Sequence, residues 1–283
     1  MTVMRPSSRG LMSMVVLAAS ACSEPFEAGS SAPADAETDP IETADRLMVA
    51  DGLGPLGDGE AAPVTRDLLL WLRADVGVIR SDLGVMVWAD QSGHHLDARQ
   101  TDATKQPRWT STGLPPRPVV VFDDDDFLSL PAGFADFSLG VSMFAVAVTD
   151  TTAQCVDIVH LSNGVEIDDI AFGRHDGQLH YEVLDGSASG DPFPLGALTL
   201  ASVVHSPNSS IALRLNGAPF VNSTFGLPSV VTRLSNVVGR SLYADCASLH
   251  GGISEVLVYG RALDTDERAR VESVLQARWT CCR

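Results

Sequence analysis

The chain has 283 residues, 45% of them hydrophobic, which is ample material for a packed core and sets it apart from disordered polymers. Its 36 acidic residues against 19 basic ones leave a net charge of −17, and a surface of that sign argues against nucleic acid as a partner, because phosphate binding needs a basic face. The length fits one large β domain or two ordinary ones.

The first 22 residues read as an export leader. Arg5 and Arg9 precede an apolar run from Leu11 to Ala19, and small residues lead to Cys22 in "LAASAC". A permanent anchor takes roughly 20 apolar residues to span about 30 Å, so this run is too short to be one. The end of the leader resembles a bacterial lipobox, which implies that Cys22 is diacylated and becomes the N-terminus after cleavage. Ala19 departs from the pattern, since leucine is usual three residues before that cysteine. An ordinary secretory signal cleaved near Ala21 is the other reading. Ser23 resembles the residue that sorts Gram-negative lipoproteins to the outer membrane, so the expected location is the cell envelope, with membrane contact only through the lipid.

Residues 23–65 hold ten Asp and Glu, a single Arg, and many Ala, Gly, Ser and Pro. Such a stretch cannot bury enough apolar surface to offset its chain entropy, and its like charges extend it, so it is expected to be an acidic tether. Residues 66–283 carry 26 acidic and 16 basic residues and are expected to form one folded domain.

From Asp67 onward, short segments rich in β-branched and aromatic residues alternate with Gly, Asn, Asp and Pro clusters: "LLLWLRA", "VMVWAD", "PVVVF", "FLSL", "VSMFAVAV", "VDIVHL", "DIAFGR", "LHYEVL", "LTLASVVH", "IALRLN" and "GISEVLVYG". Many strands at close spacing without intervening helices predict an all-β, antiparallel two-sheet sandwich. Asn216-Gly217 is a hairpin turn signal, because both positions tolerate positive φ. The exception is "LDTDERARVESVLQARW". There Asp264 and Glu267 form a capping box, and Val271, Val274, Leu275 and Trp279 share a face, predicting one short C-terminal helix.

Four landmarks in order, "WLRADVGV", "VWADQSGHHLDA", "VVVFDDDDFLSL" and "GGISEVLVYGRALDTDERARVESVLQARW", resemble those of bacterial concanavalin A-like, laminin-G-like jelly-roll domains, over residues 66–279. The resemblance implies a jelly-roll sandwich and a lectin-like role. Asp124 departs from the pattern, which usually has Gly there.

The run Asp123 to Asp126 then lies between two antiparallel strands. Alternation lets at most two of the four side chains converge, Asp123 and Asp125, whereas calcium takes six to eight oxygens, and no D-x-D-x-D-G loop is present. A solvated turn and a rim calcium held by Asp123 and Asp125, as the resemblance implies for some members, both stay open; no other cofactor is expected.

Laminarinase-type glycosidases share the fold and use E-x-D-x-x-E or E-x-D-x-E on one strand. In "NGVEIDDIAFG", Glu166 and Asp168 fit the first two positions, but Ile170 and Ala171 stand where the second carboxylate belongs, and a retaining mechanism needs two carboxyls about 5 Å apart. No catalytic residue is therefore assigned. The seven histidines show no zinc-ligand spacing, and His94 and His95 read as turn residues beside Gly93. Trp71, Trp88 and Tyr259 sit in strand patterns and read as core, leaving Trp109 as the candidate exposed ring for stacking on a sugar.

Export makes the cysteines chemistry of an oxidising compartment. Beyond Cys22 there are Cys155, Cys246, Cys281 and Cys282, which allow three pairings. If the strands "VSMFAVAV" and "GISEVLVYG" are neighbours in the jelly roll, Cys155 and Cys246 meet at one rim, and that is the pairing expected. The function expected is a surface-tethered, non-catalytic lectin-like module that recognises a glycan or a surface protein through rim loops. A degenerate or unusual glycoside hydrolase of the laminarinase fold and a purely structural envelope lipoprotein are the alternatives.

Overall fold

The computed structural model describes residues 48–49, 64–111, 117–123, 125–150, 152–184 and 186–280. Cys22, most of the acidic tether, Asp124, Cys281 and Cys282 lie outside the described residues. In chain order the strands are β1 (Met48–Val49), β2 (Leu68–Arg73), β3 (Val78–Arg80), β4 (Val85–Trp88), β5 (Ala98–Arg99), β6 (Arg108–Thr110), β7 (Val119–Phe122), β8 (Leu128–Leu130) and β9 (Val141–Thr149). They continue with β10 (Cys155–Ser162), β11 (Ile170–His175), β12 (Gln178–Val183), β13 (Gly186–Pro192), β14 (Thr199–His205), β15 (Ser210–Leu215), β16 (Ala218–Thr224), β17 (Ser235–Val238) and β18 (Gly251–Tyr259), and the chain closes with helix α1 (Thr265–Leu275).

The strands form two antiparallel sheets, so the fold is the predicted jelly-roll sandwich with a short C-terminal helix. One sheet runs β1-β3-β4-β5-β8-β17-β10-β11-β12-β13, and the other runs β16-β15-β14-β9-β18-β7-β6, with β2 also pairing β18. Between them lies a core that includes Leu70, Leu72, Trp88, Phe122, Phe144, Phe172, Tyr181 and Tyr259. β1 is a difference from expectation: inside the stretch read as a tether, Met48 and Val49 pair with Arg80 and Ile79.

The sequence patterns follow from which faces are covered. β15 has one covered face, and its burial alternates residue by residue. β9, β14 and β18 are buried almost throughout, because the core covers one face of their sheet and α1 packs on the other, where Ser202 of β14 donates to Glu272 of α1 at 2.8 Å. They therefore read as near-continuous apolar runs. Asp264 caps α1 with the predicted box: its side chain accepts from the backbone of Asp266 and Glu267, and Glu267 reaches back to the Asp264 backbone. Past α1, residues Gln276–Thr280 widen into a π-type turn that brings Trp279 into the core. The turn between β15 and β16 has Asn216 at φ 50° and Gly217 at φ 84°, as the hairpin signal requires.

Two sequence landmarks are parts of this scaffold. Asp90 accepts from the backbone N–H groups of Trp71, Ser92 and Leu96 and from the Ser92 hydroxyl, fixing the turn after β4. Glu255, fully buried on β18, accepts from Trp71 Nε1 at 2.6 Å, from Arg278 at 2.6 and 2.7 Å, and from the Trp279 indole. Among the described residues no helix is long and apolar enough to cross a membrane.

Candidate functional site

A set of ionisable side chains lies on the face of β10, β11 and β12 turned away from the core. β10 has a bulge between Asp157 and Val159, and the extra residue brings Asp157 and His160, three apart in sequence, onto this one face. Gly173 of β11 sits opposite Asp157, where an added Cβ would come within 2.1 Å of the Val156 carbonyl oxygen, so the bulge needs glycine there. β11 and β12 are joined by Asp176 (φ 48°) and Gly177 (φ 82°), a tight hairpin turn whose register pairs His175 with Gln178 and Gly173 with His180. His175, His180 and Glu182 thereby share the outer face.

The buried part of the site is a charge relay through hydrogen bonds. Asp157 Oδ2 lies 2.9 Å from His160 Nδ1, Asp157 Oδ1 lies 2.9 Å from His175 Nε2, and His160 Nε2 lies 3.3 Å from Asp169 Oδ1. Burial alone would favour neutral His160, but the hydrogen bonds and charges of Asp157 and Asp169 outweigh it and push its pKa up to about 9. Burial would also favour protonated Asp157, and the bonds from His160 and His175 overcome it, holding this carboxyl well below the usual range. His160 is thus an imidazolium set between two carboxylates.

A loop covers this group, and the disulfide between Cys155 and Cys246 ties it down, with the two Cα atoms 4.9 Å apart. The Ala247 N–H donates to the Cys155 carbonyl at 3.0 Å. On this loop the Tyr243 ring meets the His160 ring edge-on at 5.1 Å, and its hydroxyl lies 3.1 Å from both Asp169 Oδ2 and Glu182 Oε1. Burial and the neighbouring carboxylates push the Tyr243 phenol up, so it stays a donor.

The outer edge of the site consists of His175 and Glu182, which are partly buried, and His180, which is buried. The two imidazoles stack with centroids 3.9 Å apart and planes within 12°. His180 Nε2 lies 3.1 Å from Glu182 Oε2, and its Nδ1 lies 2.9 Å from Ser189 Oγ on β13. The hydrogen bond with His180 is the main reason the Glu182 carboxyl sits below its usual range. One donor atom from each of the three residues lies within 4.8 Å of the others.

The residues singled out from sequence fall elsewhere. Asp123 pairs with Arg108 at 2.5 Å, Asp125 lies 3.8 Å from Lys105, and Asp126 is buried and accepts from the Asp123 N–H at 3.2 Å. Trp109 is half-buried; its indole donates to the Ala74 carbonyl at 2.7 Å, and the Arg80 guanidinium lies 4.2 Å above the ring, so one of its faces is covered. Glu166 and Asp168, at φ 58° each, belong to a polar loop before β11 and not to the strand, because pairing begins at Ile170. His94 and His95 are exposed turn residues. The sequence shows no zinc-ligand spacing among the histidines, yet the fold brings His175 and His180 together with Glu182. The signal was present in "HDGQLHYE": an Asp-Gly hairpin folds the two histidines and the glutamate onto one face.

A second feature is a rim bearing exposed apolar side chains. Val165 and Ile167 precede β11, and Val230 and Leu234 precede β17. The two segments are joined where Leu234 N–H donates to Asn163 Oδ1 at 3.0 Å and fully buried Arg233 donates to the Asp168 carbonyl at 2.7 Å.

Neither a family model nor a curated protein matches the sequence. Among solved structures, the chain is similar to domain 4 of AbnA, a GH43 extracellular arabinanase from Geobacillus stearothermophilus in complex with arabinotriose, at 15% identity and a TM-score of 0.54, over 74% of this chain and 98% of that one. It is also similar to the Trypanosoma rangeli sialidase in complex with sialic acid, at 13% identity and a TM-score of 0.54, over 84% of this chain and 37% of the other, so it spans little more than a third of that enzyme. At these identities the likeness establishes the shared β-sandwich fold.

Proposed function

We propose that this chain is an exported, non-catalytic, lectin-like binding module of the laminin-G-like kind, tethered to the outer membrane of a Gram-negative bacterium through lipid on Cys22. Its ligand is a glycan taken on the outer face of β11, β12 and β13. The observation that carries this reading is the polar group of partly buried His175 and Glu182, buried His180 and exposed Ser189, held in place from beneath by Asp157 and Tyr243. Sugar hydroxyls are met by donors and acceptors fixed in advance, which lowers the entropy lost on binding. The arabinotriose bound to the similar arabinanase domain supports the same ligand class. The carboxylates support recognition over hydrolysis, since Asp157 and Asp169 are buried and committed to His160, leaving Glu182 without an accessible carboxyl partner in the group.

A glycan array followed by calorimetry tests this, and His180→Ala with Glu182→Gln should abolish binding to whichever glycan scores. Absence of any glycan hit, or a hit unaffected by both substitutions, overturns the site. Release of reducing sugar from β-glucans, lost in Glu182→Gln, would replace the module with an enzyme.

A second reading rests on the rim. Val165, Ile167, Val230 and Leu234 are each more than half exposed, and apolar groups gathered on one rim are a feature of protein-docking surfaces. Cross-linking on intact cells that depends on these side chains, with no glycan bound, would favour a surface-protein partner.

A further inference from the structure

We propose that His175, His180 and Glu182 form a binding site for a divalent transition metal, zinc being the ion that best suits the donors. The three residues come from the two strands of one hairpin, and a ligand atom from each already lies within 4.8 Å of the others. A tetrahedral zinc at about 2.0–2.1 Å from each donor needs them about 3.3 Å apart. Closure to that distance requires the stacked imidazoles, now 3.9 Å apart and within 12° of parallel, to turn out of their stack.

Each ligand is oriented by a second group, the arrangement that metal sites require. His175 Nε2–H donates to Asp157, which leaves Nδ1 to face the ion. His180 uses Nδ1 toward the Ser189 hydroxyl, which leaves Nε2. Glu182 accepts the Tyr243 hydroxyl on Oε1, which leaves Oε2, and this oxygen lies 3.1 Å from His180 Nε2. The donor set is thus two imidazole nitrogens and one carboxylate oxygen, and the ion would take the place of the His180 Nε2–Glu182 Oε2 hydrogen bond. Two imidazoles select zinc, cobalt, nickel or copper over calcium and magnesium, which take oxygen ligands. Three protein ligands leave a fourth coordination position for water or for an oxygen of a bound ligand. This site shares its surface with the proposed glycan face, but a titration of metal without sugar tests it alone, so either proposal can fail while the other stands.

The experiment is calorimetric titration of the full chain, purified without a histidine tag, with Zn²⁺, together with visible absorption on adding Co²⁺. Expected are one equivalent bound, d–d bands of a low-coordinate nitrogen and oxygen site, and a zinc-dependent rise in the thermal midpoint. His180→Ala and Glu182→Gln should each weaken binding at least about 100-fold, and Ser189→Ala about 10-fold through loss of the orienting bond. A His94→Ala, His95→Ala double variant, which removes the exposed turn histidines, should bind as the wild type does. Calcium or magnesium should not compete. Absence of zinc binding, or zinc binding that survives Glu182→Gln in a chain with unchanged thermal unfolding, or binding lost in the turn double variant, overturns the site. Should His180→Ala fail to fold, Glu182→Gln and Ser189→Ala decide the matter.

Discussion

Glu255 on β18 and Arg278 in the turn after α1 meet through two hydrogen bonds, 2.6 and 2.7 Å long, with the carboxylate fully buried. The same carboxylate takes the indole N–H of Trp71 on β2 and of Trp279 at the chain's end. One acidic side chain thus joins a central strand, the strand that opens the domain and the segment that closes it.

Removing that charge weakens the acceptor shared by Arg278 and the indole N–H groups of Trp71 and Trp279, inside a fully buried position. Glu255→Gln should lower the stability by about 3–5 kcal/mol, the usual cost of breaking one side of a buried pair. Urea unfolding followed by tryptophan fluorescence measures it, and Trp71 and Trp279 report directly on the site. A loss under about 1 kcal/mol would mean that the pair is worth no more than a surface one.

The Cys155–Cys246 disulfide spans 91 residues and holds the loop bearing Tyr243 over His160. On the chain-entropy account, closing a loop of this length contributes about 4 kcal/mol. Cys155→Ser with Cys246→Ser should therefore lower the denaturant midpoint and expose the Tyr243 loop to protease. Peptide mapping without reductant that linked Cys155 to Cys281 or Cys282 would contradict this arrangement.

His160 makes stability depend on pH. Its pKa in the fold is raised to about 9 from 6.5: burial opposes the rise, and the hydrogen bonds and charges of Asp157 and Asp169 outweigh it. A raised pKa contributes stability that is fully present below pH 6.5 and is lost as pH climbs through 9. Unfolding free energy should fall by roughly 2–4 kcal/mol between those limits, because a tenfold change in proton affinity is worth about 1.4 kcal/mol. In His160→Gln that slope should disappear, and a slope of equal size in the variant would assign the effect to another group.

The fold was legible where one physical rule acted locally. Alternation in "IALRLN", the Asn216-Gly217 turn and the Asp264 capping box each depend on a few neighbouring residues. Asp90 and Glu255, which stand in two of the quoted landmarks, hold the turn after β4 and the segment after α1 to the sheet. The site was less visible because its members meet through non-local devices. A period of two cannot place Asp157 and His160 on one face without the bulge, and Tyr243 arrives through a covalent link across 91 residues. Glu166 and Asp168 drew attention by their spacing, yet the strand starts two residues after Asp168, so spacing carried no geometry there.

The aspartate run ends on a buried group, and this sets its pH response and its use for calcium. Asp126 has its pKa raised from 3.8 to about 6, chiefly by burial, with the charges of Asp123 and Asp125 adding to the rise and the Asp123 N–H opposing it. A raised pKa again means stability present below pH 3.8 and lost as pH rises through about 6, so ionised Asp126 costs roughly 1–3 kcal/mol at pH 8. Asp126→Asn keeps an oxygen for the Asp123 N–H and removes that cost, so the variant should be the more stable protein at pH 8 and equal to the wild type near pH 4. Calcium at Asp123 and Asp125 would have to displace Arg108 and Lys105 from those carboxylates. Millimolar calcium should therefore leave the unfolding midpoint of wild type unchanged at pH 7. A rise that vanishes in Asp123→Asn would establish the rim ion and make the arginine and lysine its stand-ins.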